Sequence, residues 1–220
     1  MLLFPGHSCL FVHGLLILIL SIRDTTLSLT SGATELDTVL NATHLLEGSY
    51  SAIYSELSAL RSAAPKALLK VIFETSRLTP NQITAACVLA SAASFDYVKT
   101  STGFLAAEDC IKGADGQRKP TGATKEDVQL MKACCVHLAS ADSALGIQMG
   151  GVKRAEMKVK ASGGVRTLTD AVAMIEAGAE RLGSSGGVWI AKEGEAAKDG
   201  KGGMDGDRPK GLETRMFSDY

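Results

Sequence analysis

Four charged residues stand inside stretches that otherwise read as buried strand. Asp37 lies in ELDTVL, Lys70 in LLKVIF, Lys99 in DYVKTSTG and Lys160 in KVKASGG. A buried charge is costly unless paired, so an interior strand normally excludes it. For any one lysine, an exposed strand end or edge accounts for the charge, because the stem packs while the amine reaches water. Four charges on four strands are harder to account for in that way. If they point to one side, they make a cluster of three amines and a carboxylate. A neighbouring cation depresses a lysine's pKa and leaves part of it neutral, and such an amine forms a Schiff base with a carbonyl. The carboxylate and a second lysine then move protons. Lys158 complicates the pattern, because it lies two residues from Lys160 and shares its face in an ideal strand. Spacing alone leaves open which of the two points inward.

Two glycine-containing loops offer complementary chemistry. Ala161-Ser162-Gly163-Gly164 follows the strand of Lys160, and Gly183-Ser184-Ser185-Gly186-Gly187 follows the last strand. Glycines let backbone N–H groups approach an anion, and a helix N-terminus adds a favourable dipole. The candidate anion ligands are Gly163, Gly164, Ser184 and Ser185. In (β/α)8 barrels a phosphate site commonly lies after the last two strands, where these loops fall. Glycine pairs also make plain tight turns, and both readings stay open.

The elements that must carry these residues alternate in type. Strands are predicted at Leu36–Asn41, Ala67–Glu74, Phe95–Thr100, Met157–Ala161 and Glu180–Gly183. A helix is expected over Ser49–Ala63, with Ile53, Leu57 and Leu60 on its periodic face. Thr79-Pro80-Asn81-Gln82 combines a capping box with proline at the first helical position, and opens a helix toward Ala93. TKED at Thr124 and TLTD at Thr167 are similar starts, the first leading to Val128, Met131 and Cys135 on one face. Five such units imply an α/β chain with a parallel sheet, of the TIM (β/α)8-barrel kind. Residues 105–121 are polar and without period, and read as an insertion in one βα loop. Residues 192–220 read as a flexible charged tail, leaving 31–191 as the barrel portion.

The bulk properties fit. A chain of 220 residues with 45% hydrophobic content suits one large domain and excludes wholesale disorder. A net charge of -1 gives no reason to expect a nucleic-acid partner. The five cysteines form no C-x-x-C pair, so a disulfide framework or zinc site is not expected and a reducing, cytoplasmic setting is. The first 30 residues differ from the rest. Cys9–Ile22 is apolar and uncharged, but at 14 residues it is short for a membrane span. It matches a signal-peptide core in length but lacks a preceding Lys or Arg, and TSGA at Thr30–Ala33 is only a loose cleavage site. A buried strand or a sequence foreign to the domain are the other readings.

GATELDTVLN, LLKVIFET, DYVKTSTGF, VKASGGVRT and RLGSSGG together resemble the deoxyribose-phosphate aldolases, class I enzymes on a TIM barrel, over about Ser31 to Ile190. The resemblance implies a Schiff base on Lys99, assistance from Lys160, proton relay through Asp37, and Lys70 lining the same site. It also implies phosphate binding by Gly163, Gly164, Ser184 and Ser185, and a C-terminal tyrosine, here Tyr220, that reaches the site. The implied reaction is reversible cleavage of 2-deoxy-D-ribose 5-phosphate to D-glyceraldehyde 3-phosphate and acetaldehyde. No metal or organic cofactor is implied, the partner is a small phosphosugar rather than a nucleic acid or membrane, and a homo-oligomer is compatible. The family's barrel has eight units, so the front of the barrel is expected to be missing. Three more units need about 90 residues, at roughly 30 per unit, and only 34 residues precede Glu35. A non-catalytic splice product or pseudoenzyme of the same family is the competing expectation.

Overall fold

The structure, a computed structural model, describes residues 11–12, 18–113, 116–144, 148–149, 152–153 and 156–198. Strands are β1 (Phe11–Val12), β2 (Glu35–Val39), β3 (Leu68–Ile72), β4 (Tyr97–Lys99), β5 (Gln148–Met149), β6 (Val152–Lys153), β7 (Lys158–Ser162) and β8 (Arg181–Gly183). Helices are α1 (Leu18–Thr30), α2 (Ala42–Leu46), α3 (Tyr50–Ala63), α4 (Pro80–Ala92), α5 (Lys125–Ala144), α6 (Leu168–Glu176) and α7 (Gly187–Lys198).

Six strands form one sheet in the order β1-β2-β3-β4-β7-β8, and every neighbouring pair is parallel. The helical crossovers between successive strands make this a βα-repeat sheet with open edges, as a part of a TIM barrel has. β5 and β6 form a separate antiparallel pair between α5 and β7. All five expected strands are present.

The period of two in each strand sorts its side chains. Leu36, Leu69, Val71, Val98, Val159 and Ala161 are buried in the apolar core. They share it with Ile53, Leu57 and Leu60 of α3, Ile83, Ala86 and Ala90 of α4, and Val128, Met131 and Cys135 of α5. The alternate residues, Glu35, Asp37, Lys70, Lys99, Lys160 and Arg181, fall on the other face. The register sets Asp37 beside Lys70, and Lys99 beside Lys160, which lies beside Arg181. Lys158 shares that face but sits lower, opposite Tyr97, where it is exposed. Of the two lysines, Lys160 is therefore the inward one.

The helix starts follow from local chemistry. Thr79 and Gln82 exchange both hydrogen bonds of a capping box before α4, and Thr167 and Asp170 do the same before α6. At α5 the Asp127 N–H donates to Thr124 Oγ1 at 3.2 Å.

Three segments depart from expectation. The N-terminal apolar stretch is divided between β1 and α1, with β1 pairing in parallel with β2 and α1 packing on α3. A non-periodic apolar run does not reveal whether it is strand or helix, so the strand reading fits β1 while α1 departs from it. No helix among the described residues is long and apolar enough to cross a membrane. The charged tail expected from Lys192 is helical as far as Lys198, because α7 continues through that boundary. Residues 199–220, including Tyr220, lie outside the described residues. The segment 105–121 is long, as expected, but anchored. Lys119 Nζ donates to the carbonyls of Thr75 at 3.0 Å and Leu78 at 3.3 Å and pairs with Asp127 at 2.9 Å. The Ile111 N–H donates to the Ser76 carbonyl at 2.9 Å.

Candidate active site

Asp37 is the centre of the polar face. It is wholly buried, and its two oxygens are shared among three amines. Oδ1 accepts from Lys70 Nζ at 2.9 Å, while Oδ2 accepts from Lys99 Nζ at 3.0 Å and Lys160 Nζ at 3.1 Å. Lys70 and Lys99 are also buried, and Lys160 is 14% exposed. The four residues singled out by charge in the sequence thus converge on one point.

Two further residues complete the cluster. Lys70 Nζ also pairs with Glu35 at 2.8 Å, and Arg181 Nη1 with Glu35 at 2.6 Å. Arg181 also lies over the Tyr97 ring, 4.9 Å from its centroid. β2 and β8 are four strand spacings apart, ~19 Å in a flat sheet at ~4.8 Å each. The Glu35–Arg181 bond therefore requires a strongly curled sheet whose polar face is the concave one. Sequence reasoning missed both residues. Glu35 was detectable, because it lies two residues before Asp37 and so on the same strand face.

The carboxylates of Glu35 and Asp37 face the amines of Lys70, Lys99 and Lys160 and the guanidinium of Arg181. Burial raises the pKa of Asp37, but Lys99, Lys160 and Lys70 outweigh that effect and hold its carboxyl well below the usual range. Burial also opposes ionisation of Glu35, yet its bonds to Arg181 and Lys70 bring it down to about 2. Lys70 is raised: burial disfavours its charge, and the Glu35 and Asp37 carboxylates more than compensate.

The glycine loops lie at the C-terminal ends of β7 and β8, next to the lysines. Gly163 and Gly164 have φ of 81° and 75°, which glycine adopts freely. The first loop is stitched to the strand of Lys99. Thr100 Oγ1 donates to the Ser162 carbonyl at 2.9 Å and accepts from the Ser162 N–H at 3.0 Å. The second loop folds onto the first, since Ser184 Oγ donates to the Val165 carbonyl at 2.5 Å and accepts from the Gly186 N–H at 2.9 Å. Ser184 thus holds the two loops together, Ser185 is exposed, and α7 begins directly after them.

Gly122 decides how closely the first loop can pack. A Cβ there would lie 2.5 Å from the backbone C and O of Gly163 and 2.7 Å from Gly164 N. Gly122→Ala is expected to cost ~1–3 kcal/mol as an overpacking substitution, read as a lower urea midpoint with unchanged slope.

Known proteins resemble this chain in sequence and in fold. The deoxyribose-phosphate aldolase of Coccidioides immitis is 45% identical over 166 residues, which is 76% of this chain and 51% of that protein. The solved structure of QR15, an aldolase, superposes with a TM-score of 0.69 at 31% identity, covering 87% of this chain and 74% of that one. This chain belongs to the deoxyribose-phosphate aldolase family. A tetrameric deoxyribose-phosphate aldolase from Aeropyrum pernix also shares the fold, with a TM-score of 0.66 at 26% identity, covering 87% of this chain and 69% of that one. No family model matches the chain. The chain spans about half to three fifths of the length of the first curated aldolases it matches.

Proposed function

We propose that this member of the aldolase family is a carbon–carbon lyase that cleaves 2-deoxy-D-ribose 5-phosphate reversibly to D-glyceraldehyde 3-phosphate and acetaldehyde. The observation that carries the reading is the sharing of Asp37 Oδ2 by Lys99 and Lys160, at 3.0 and 3.1 Å. Lys99 is the nucleophile. Its neutral amine adds to C1 of the open-chain sugar, and loss of water gives an iminium. Removal of the C3 hydroxyl proton then breaks the C2–C3 bond. Its electron pair enters the iminium to form an enamine, and C3 becomes the aldehyde of glyceraldehyde 3-phosphate. Protonation of the enamine carbon and hydrolysis release acetaldehyde and restore Lys99.

Asp37 and Lys160, with a water, carry these protons, because their contacts with Lys99 make one continuous relay. Lys70 holds Asp37 in place from its other oxygen. The backbone at Gly163 and Gly164, the loop of Ser184 and Ser185, and the N-terminus of α7 take the phosphate. This fixes C1 against Lys99. Tyr220 is assigned to the site by resemblance alone, as the C-terminal tyrosine that reaches it in some family members.

A cytoplasmic setting suits Cys87, Cys110, Cys134 and Cys135, which are all free thiols. A homo-oligomer is proposed by analogy with the tetrameric relative. Purified chain mixed with 2-deoxy-D-ribose 5-phosphate is expected to release acetaldehyde and glyceraldehyde 3-phosphate in equal amounts. Folded chain that releases neither, beside an active family member, overturns the proposal.

A further inference from the structure

Glu74 lies two residues beyond the end of β3 and does not take part in the lysine cluster. Three observations set it apart. It is a non-glycine residue in the left-handed region, with φ 56° and ψ 60°, a conformation that costs free energy unless its surroundings enforce it. It is a carboxylate only 7% exposed. Its Oε1 accepts the Thr102 N–H at 2.8 Å, in the segment that leaves Lys99.

The residues on either side continue the sheet. The Phe73 N–H donates to the Lys99 carbonyl at 2.9 Å, and the Thr75 N–H donates to the Thr100 carbonyl at 3.0 Å. The backbone therefore keeps its register with the Lys99 strand while turning over at Glu74, which delivers the carboxylate beneath Thr102. Residues 101–103 in turn abut the glycine loop. Ser101 Cβ and Gly103 Cα each lie 3.5 Å from where a Cβ on Gly163 would stand. Two buried polar atoms here, Glu74 Oε2 and Ser101 Oγ, have no hydrogen-bond partner among the described residues. Buried groups of this kind are normally satisfied, so these retain bonding capacity for a ligand or water.

We infer that Glu74 is a positioning residue: its carboxylate clamps residues 101–103 against the Gly163 loop and so shapes the phosphate end of the substrate site. The inference rests on the aldolase reading above. The clamp acts on the phosphate end, whereas Lys99 itself is held by Asp37 and by the β3 and β7 strands beside it. The two ends of the site therefore respond differently to its loss.

The test compares wild type, Glu74→Ala and Glu74→Gln, each checked for a cooperative thermal transition. Two readouts are taken: KM for 2-deoxy-D-ribose 5-phosphate, and the rate at which acetaldehyde with borohydride labels Lys99, a reaction that needs no phosphate. Glu74→Ala is expected to raise KM about tenfold or more while the labelling rate stays within about twofold. Glu74→Gln, which keeps the acceptor oxygen, is expected to restore KM to within about threefold of wild type. An unchanged KM in Glu74→Ala overturns the inference. So does a parallel fall in KM-dependent turnover and labelling, which marks a merely structural role, and so does a Gln variant no better than Ala. Wild-type chain that is folded but never labelled on Lys99 overturns the aldolase reading and this inference with it.

Discussion

Lys99→Met is expected to lower cleavage of 2-deoxy-D-ribose 5-phosphate by at least roughly a thousandfold, the scale on which losing a covalent nucleophile acts. Methionine preserves the length and apolar stem of the side chain but cannot form an iminium. Without that electron sink the C2–C3 bond has nowhere to send its electrons. The fold should survive, because Asp37 keeps Lys70 at 2.9 Å and Lys160 at 3.1 Å. The companion variant separates nucleophile from relay. Lys160→Met leaves the Lys99 amine in place, so it should slow turnover by roughly 10²–10⁴-fold, the range for a lost acid–base group, and still form the adduct on Lys99. Steady-state rates for the two variants, with circular dichroism as the control for folding, check the assignment. Full activity in Lys99→Met would place the nucleophile elsewhere.

Asp37→Ala is expected to be the most destabilising single change in the concave face. It strips the shared carboxylate from three amines, two of them at 2% and 3% exposure. Leaving buried charge uncompensated costs ~3–5 kcal/mol. Asp37→Asn should cost less, since its amide oxygen still accepts a hydrogen bond. The pH dependence has a definite sign. Asp37 is depressed in the folded chain, so its contribution is fully present above the ordinary carboxylate range, around pH 4, and is lost as pH falls toward its folded value. Glu35, at about 2 when folded, acts in the same direction between its ordinary value of 4.5 and 2. The stability gap between wild type and Asp37→Ala should thus be widest near neutrality and narrow below about pH 4. Denaturant titrations across that range give the gap directly, and a gap that widens on acidification would contradict the electrostatic account.

The strands and the central cluster were legible because both depend on local pattern. A lysine in the middle of LLKVIF or DYVKTSTG contradicts its own surroundings, and that contradiction marks the concave face. The caps at Thr79, Thr124 and Thr167 were legible because each involves residues three apart. What was not legible depends on longer-range geometry. Arg181 bonds Glu35 because the sheet curls, and no spacing in the sequence specifies that curl. Glu74 reads as the last residue of an apolar strand, and only its reversed backbone turns it toward Thr102. α1 starts inside an apolar run with no period to declare it a helix, and α7 runs on past Lys192 into a stretch whose Gly, Lys and Asp content mimics a loose tail. The anchoring of residues 105–121 depends on Lys119 reaching two carbonyls near β3, which composition does not reveal.

The proposed carbonyl-reactive amine is Lys99, held by Asp37 beside Lys160. Acetaldehyde and borohydride added to the folded chain, followed by peptide mass mapping, test it directly. One ethyl group is expected, confined to Lys99 and suppressed by prior saturation with 2-deoxy-D-ribose 5-phosphate in the absence of reductant. Labelling spread over surface lysines, or confined to Lys160 or Lys70 with Lys99 untouched, would contradict it.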